Sequence, residues 1–152
     1  MKNNIENGIY IPDENRELHP LDEWMKREDP TTAQTVVLVT DLGMLEIAKE
    51  DLPREYNFKA AQESAAKYRR GFRCATRHEA IEMYDARFRG LDKAFRKIGG
   101  KPAASLYWTS DCDPDPDCNS GYTFLYNGTT GGISYEYTRY TNAVRPVSAF
   151  KK

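Results

Sequence analysis

The sequence predicts an α+β domain, on three observations. A β-branched run, Thr35-Val36-Val37-Leu38-Val39-Thr40, is followed by turn residues and a second apolar stretch. The middle of the chain carries apolar residues at helical spacing behind capping residues, and the last third alternates aromatic and polar residues between glycine turns. Hairpin, helices and meander in that order set helices beside antiparallel sheet, not between parallel strands.

Taken in order, residues 1–34 are polar and punctuated by Pro12, Pro20 and Pro30, with one short amphipathic stretch, Leu21-Asp22-Glu23-Trp24-Met25. They read as an extended arm that folds against its own domain or against a neighbour, for docking or oligomerisation, ahead of a domain spanning 35–150. Deleting such an arm is expected to leave a folded domain. Strand 35–40 turns at Asp41-Leu42-Gly43 and returns as Met44-Leu45-Glu46-Ile47-Ala48. Asn57 caps a helix with Phe58, Ala61, Ala65 and Tyr68 on one face. Thr76-Arg77-His78-Glu79 is a capping box, in which the Thr76 hydroxyl accepts from the Glu79 amide and the Glu79 carboxylate reaches back. The helix it opens sets Ile81, Tyr84 and Phe88 as its core face, exposes His78 in its first turn and stops at Gly90.

A third short helix turns Leu91, Ala94, Phe95 and Ile98 inward and ends at Gly99-Gly100. Beyond Pro102, three strands form a small antiparallel meander: Leu106-Tyr107-Trp108-Thr109-Ser110, Tyr122-Thr123-Phe124-Leu125-Tyr126 and Ile133-Ser134-Tyr135-Glu136-Tyr137. Ala143-Val144-Arg145-Pro146-Val147-Ser148 closes the domain, with Pro146 suited to a strand end.

A chain of 152 residues, 39% of them hydrophobic, is long enough to bury one core without a metal or a disulfide. No apolar run approaches the roughly 20 residues of a membrane helix. The first eight residues lack the apolar region of a secretory leader, so synthesis in the cytoplasm without export is expected. A net charge of −1 gives no bulk attraction to nucleic acid or to an anionic membrane, and neither is expected as a partner. The charge is nonetheless uneven: residues 54–101 carry +7, flanked by −3 over 35–53 and −3 over 102–150. A solvated helical face accounts for this basic middle, and the alternative is a match to an acidic partner surface.

Three cysteines cannot form a complete disulfide framework. Cys74 stands alone in a core-like segment. Cys112 and Cys118 either staple their loop, contributing about 2–3 kcal/mol, or remain thiols. Neither belongs to a C-x-x-C pair, and His19 and His78 lie far away in sequence, which argues against zinc. Asp111, Asp113, Asp115 and Asp117 are weak calcium candidates. Pro114 and Pro116 stiffen that stretch and splay alternate carboxylates, so the competing reading is a solvated acidic loop, and no metal or cofactor is expected. The same aspartates would raise a neighbouring thiol pKa and oppose thiolate chemistry. With no Ser/His/Asp set, phosphate loop or H-E-x-x-H, no enzymatic activity is expected. Six of the ten tyrosines fall after residue 106, mixed with Ser, Thr, Gly and Asn. Tyrosine offers contact area at low entropic cost while small polar residues adapt their hydrogen bonds, a paratope-like mixture that also suits the apolar faces of sugar rings.

Gly71-Phe72-Arg73-Cys74-Ala75-Thr76-Arg77-His78-Glu79 resembles the Gly-Trp-Arg-Leu-Pro-Thr-x-x-Glu motif of C-type-lectin-like domains in the formylglycine-generating-enzyme-like superfamily. Tyr107-Trp108-Thr109-Ser110 is similar to that group's Tyr-Trp-Ser-Ser strand, and Asn142-Ala143-Val144-Arg145-Pro146-Val147 to its closing Val-Arg-Pro-Val strand. Ile47-Ala48-Lys49-Glu50-Asp51 and Ile98-Gly99-Gly100 resemble further segments of Bacteroidales and phage members. Phe72, Cys74 and Ala75 depart from the pattern by replacing Trp, Leu and Pro. The resemblance implies a C-type-lectin-like fold with two or three short helices and a small antiparallel sheet. The reactive cysteine pair of the enzymes has no counterpart, because Cys74 occupies an apolar slot. Retroelement-diversified receptor-binding relatives carry their ligand residues in the C-terminal stretch, which implies Tyr122, Thr123, Tyr126, Tyr135, Tyr137, Arg139, Tyr140 and Asn142 as contact candidates here. The expected function is ligand binding on a phage or prophage virion, on a tail or head fibre that recognises a host surface glycan or protein. Residues 1–34 would dock to other virion proteins, in a homo-oligomer. A structural decoration protein and a bacterial adhesin module are the alternatives.

Overall fold

The computed structural model describes residues 5–28, 33–112 and 121–152, the side chain of Cys112 excepted. Its strands are β1 (Gly8–Pro12), β2 (Leu18–Pro20), β3 (Thr35–Thr40), β4 (Gly43–Ala48), β5 (Leu106–Cys112), β6 (Tyr122–Asn127), β7 (Ile133–Tyr137) and β8 (Val147–Ala149). The helices are α1 (Leu21–Trp24), α2 (Phe58–Tyr68), α3 (Arg77–Ala86) and α4 (Leu91–Lys97). The strands form two antiparallel sheets, ordered β2-β1-β3-β4-β8 and β5-β6-β7. The α+β class expected from the sequence is what these elements make.

The β3–β4 hairpin pairs Thr35 with Ala48 through to Thr40 with Gly43, so alternate residues share a face. Val36, Leu38, Leu45 and Ile47 point into the main core, where Ala80, Met83 and Ala86 of α3 and Leu91, Ala94, Phe95 and Ile98 of the α4 region meet them. Val37 and Val39 point the other way, into a smaller cluster with Tyr10, Leu18 and Phe150. With both faces covered, β3 reads as a continuous apolar run instead of an alternating one. The second sheet packs Trp108 and Leu125 against Phe58, Ala61 and Ala65 of α2. Its other face joins the main core through Tyr107 and Tyr126, whose rings stack with centroids 4.9 Å apart. The caps form as expected: Asn57 Oδ1 accepts from the Ala60 amide at 2.9 Å, and Thr76 and Glu79 complete the capping box.

Two expectations are corrected. Residues 8–24 are not an extended arm. β1 lies inside the first sheet, pairing Ile9 with Leu38 and Tyr10 with Val37, and Ile9, Ile11 and Trp24 are core residues. The prolines sit where strands end, Pro12 closing β1 and Pro20 closing β2, so they delimit elements instead of preventing them. The face of α3 is rotated as well. Ala80, Met83 and Ala86 are buried, while Ile81 is 53% and Phe88 77% exposed and Tyr84 is half-buried. On the outer side of α3 the turn after β6 comes close, and a Cβ on Gly131 would stand 2.6 Å from Tyr84 Cδ2. In the closing segment Val147–Ala149 forms the strand, directly after Pro146, and it pairs with β4 in the first sheet.

Glu46 lies on the outer face of β4 and is almost fully buried. Arg16 grips both its oxygens at 2.8 Å, the Thr35 hydroxyl donates at 2.6 Å, and Arg69 stands 3.8 Å away. Burial pushes the carboxyl pKa up, but Arg16, Thr35 and Arg69 together outweigh it and the net shift is downward. A depressed folded pKa means that the stabilisation is complete above the unfolded value of about 4.3 and fades as pH falls through the folded value. Glu46→Gln is therefore expected to cost about 1–3 kcal/mol at neutral pH. Its deficit against the parent chain should shrink in urea titrations repeated below about pH 4.

Candidate ligand-binding face

The register of β6 with β7 pairs Tyr122 with Tyr137, Phe124 with Tyr135 and Tyr126 with Ile133. Side chains alternate along a strand, so these six residues share one face of the second sheet. Phe124 and Tyr126 of β6 are buried, Tyr126 in the main core, while Tyr122 and the β7 side of the face are open. There Tyr122 is 42%, Tyr135 60%, Tyr137 39% and Tyr140 47% exposed. The rings contact one another: Tyr122 and Tyr137 at 4.5 Å between centroids, Phe124 and Tyr135 at 4.7 Å, and Tyr137 and Tyr140 nearly perpendicular at 5.7 Å. The Tyr122 hydroxyl donates to that of Tyr137 at 2.9 Å, and this bond is the main reason its pKa is raised.

Backbone bonds fix the turn that follows β7. The Tyr140 amide donates to the Tyr137 carbonyl at 3.1 Å, the Thr138 amide to the Gly121 carbonyl at 2.9 Å, and the Phe58 amide to the Thr138 carbonyl at 3.0 Å. The turn is thus tied to the start of β6 and to α2. It folds Arg139 back so that its guanidinium lies 5.0 Å from the Tyr137 ring centroid and 5.1 Å from that of Tyr140. Hydrogen bonding to Tyr140 keeps that guanidinium charged, with its pKa raised. At the other border of the face, Arg77 stacks 3.7 Å from the Phe124 centroid. Its amide and Nε donate to Asp111 Oδ2 at 2.6 and 3.2 Å.

Five of the eight contact candidates, Tyr122, Tyr135, Tyr137, Arg139 and Tyr140, therefore come together on one open surface. The other three support it from within. Thr123 points to the opposite face of β6, where its hydroxyl donates to the Asp111 carbonyl. Tyr126 is buried against Tyr107. Asn142 is buried, and its backbone pairs with Tyr56 in both directions at 2.9 Å. Asp111 serves as the anion for Arg77 and the start of α3. Asp113, Asp115, Asp117 and Cys118, like the Cys112 side chain, lie outside the described residues. Among the described residues no cluster of three or more metal-binding side chains occurs. Burial pushes the Cys74 thiol up to about 12, so it stays protonated as a small core residue.

Sequence reasoning missed a second exposed stripe on α3. Arg77, Ile81, Tyr84 and Phe88 recur at helical spacing on one side of the helix. Two contacts, Arg77 on Phe124 and Tyr84 beside Gly131, lay this stripe against β6 and the turn that follows it, so it borders the aromatic face. The spacing was visible in the sequence, but it reads identically for a buried stripe. On the far side of the α3 N-terminus an open cleft of about 440 Å³ has an apolar wall of Leu38, Leu42, Met44 and Leu45 and a polar one of Arg73 and Glu79. The Arg73–Glu79 pair is bidentate, at 2.6 and 2.8 Å, and positions the capping box.

No family model matches the chain, and neither does any curated protein. Among the described residues no helix is long and apolar enough to cross a membrane.

Proposed function

We propose that this chain is a non-enzymatic ligand-binding domain of C-type-lectin-like fold, and that it serves on a phage or prophage virion in recognition of the host surface. The observation that carries the binding role is the set of four half-exposed tyrosines and Arg139, assembled by the β6–β7 register and locked by the turn over 137–140. Rings held in place by neighbouring rings lose little freedom on binding, which is what a recognition surface needs. The virion setting and the fold family rest on the resemblance carried by residues 71–79, 107–110 and 142–147.

Adsorption to intact Bacteroidales cells tests this reading. The Tyr135→Ala/Tyr137→Ala/Tyr140→Ala variant should bind roughly 10-fold or more weakly than the parent, which requires only about 1.4 kcal/mol from the three rings together. Its thermal midpoint should stay close to the parent's, since the removed rings are half-exposed. Adsorption unchanged in a folded variant would refute the placement of the site. The exposed Ile81 and Phe88 favour a second reading, in which the same fold decorates a capsid or tail and this flank packs on a protein neighbour. A folded parent that adsorbs to no cells but is incorporated into particles would support it.

A further inference from the structure

We propose that the ligand of this face is an acidic saccharide, its sugar ring stacked on the exposed tyrosines and its carboxylate held by Arg139. This rests on the binding role proposed above and names the class of ligand.

Among the described residues the charge on the face has one sign. Arg139 forms no ion pair with a described carboxylate; its guanidinium lies beside the Tyr137 and Tyr140 rings and its hydrogen bond goes to Tyr140, a neutral partner. Strand alternation puts Glu136, between Tyr135 and Tyr137, on the opposite side of β7, where its Oε1 accepts from the Tyr137 amide at 2.9 Å. Asp111, the other nearby carboxylate, is bound to Arg77. An anion reaching the open end of the sheet therefore meets an available guanidinium and no competing described carboxylate. Guanidinium and carboxylate match as planar, bidentate partners, and the adjoining rings exclude water from that contact.

The rings select what carries the anion. Tyr137 and Tyr140 stand at 87° to each other and form a corner with the guanidinium beside both. Tyr135 presents a further ring along the strand, and the hydrogen-bonded hydroxyls of Tyr122 and Tyr137 lie at its border. Flat apolar faces with hydroxyls at their edge complement a pyranose, whose C–H groups line one face and whose hydroxyls radiate from the rim. An aliphatic acid has no flat face to offer the rings, and a neutral sugar leaves Arg139 unused.

Affinity electrophoresis of the intact chain at about 0.15 M salt, where the Debye length is about 8 Å and long-range attraction is screened, provides the test. The gels contain polygalacturonate, hyaluronan or polysialic acid, each beside its carboxyl-reduced form, with poly-L-glutamate as a charged polymer lacking sugar rings. Retardation by at least one acidic polysaccharide is expected. It should fall about 10-fold on carboxyl reduction and by a similar factor in Arg139→Gln, whose thermal midpoint is unchanged. Tyr135→Ala should weaken the same interaction, which a purely ionic contact would not require. Equal retardation by acidic and reduced polymers, or by polyglutamate, overturns the acidic-sugar assignment and leaves the binding role standing. Retardation by none of the three also overturns it, and cell adsorption then decides the broader reading independently.

Discussion

A chain starting at residue 29 should fail to fold. β1 is an internal strand of the first sheet, between β2 and β3, and it delivers Ile9 and Ile11 to the main core while α1 delivers Trp24. Truncating single buried residues of these kinds costs about 2–5 kcal/mol for Ile and 3–5 kcal/mol for Trp. Together these losses reach about 7–15 kcal/mol, the same size as the roughly 5–15 kcal/mol that holds a whole domain. Two further losses add to them. Glu46 stays buried without Arg16, its bidentate partner, and β3 becomes a bare edge of apolar residues. The amide spectrum of residues 29–152 should lack the dispersion of a packed domain, and the fragment should aggregate. Ile11→Ala in the full chain is the graded control, expected to fold with a thermal midpoint lower by roughly 4–20 °C. A fragment 29–152 with native dispersion would restore the arm.

The contrast between β1 and the hairpin explains which parts of the fold a sequence exposes. β3 is legible because both of its faces are buried, so six consecutive residues carry one message. α2 and α3 are legible at their starts because Asn57 and the Thr76–Glu79 box satisfy amides in a way only a helix requires. β1 offers five residues between polar neighbours, and its prolines read as breakers until the pairing places them at strand ends. The face of α3 illustrates a different limit. Ala80, Met83 and Ala86 and the larger Ile81, Tyr84 and Phe88 both fit helical spacing, and bulk favours the wrong set. The deciding factor is remote: the main core, built by β1, β3, β4 and α4, receives Ala80, Met83 and Ala86, and nothing in the local spacing of α3 shows where that core lies.

The binding face divides in the same way. Alternation in β6 and β7 puts Tyr122, Phe124 and Tyr126 on one side, but it does not say that Phe124 and Tyr126 are covered while β7 stays open. Nor does it say that the turn at 137–140 closes back on Tyr137. Thr123, Tyr126 and Asn142 are implied by the resemblance, which points to a stretch of chain and not to one face, and they support the surface from beneath.

The largest single-residue effect is expected at Arg145, which lies in the loop before β8 and is almost wholly buried. Its Nε donates to Asp51 Oδ1 at 2.8 Å, one terminal nitrogen to the Ala48 carbonyl at 3.0 Å, and the other to the Lys101 carbonyl at 2.8 Å. The guanidinium also stacks 5.0 Å from the Phe95 centroid. The same Asp51 oxygen accepts from the Tyr107 hydroxyl at 2.8 Å, and burial pushes that hydroxyl up to about 12, so it remains a donor throughout the physiological range. One side chain thus joins the end of β4, the chain after α4 and, through Asp51, β5. Arg145→Met should cost about 3–5 kcal/mol, because it strands two carbonyls at once and leaves the partly exposed Asp51 carboxylate with the Tyr107 hydroxyl but no cation. Arg145→Lys should recover only part of this, since one ammonium cannot span three divergent acceptors. The double variant Asp51→Asn/Arg145→Met separates ion pairing from backbone satisfaction. Removing both members of an ordinary buried pair can be close to neutral. Here two of the three acceptors are main-chain carbonyls that no substitution deletes, so the double variant should stay within about 1 kcal/mol of Arg145→Met in urea unfolding. Recovery to parental stability would mean that the charge pair, and not the carbonyl contacts, makes this arginine necessary.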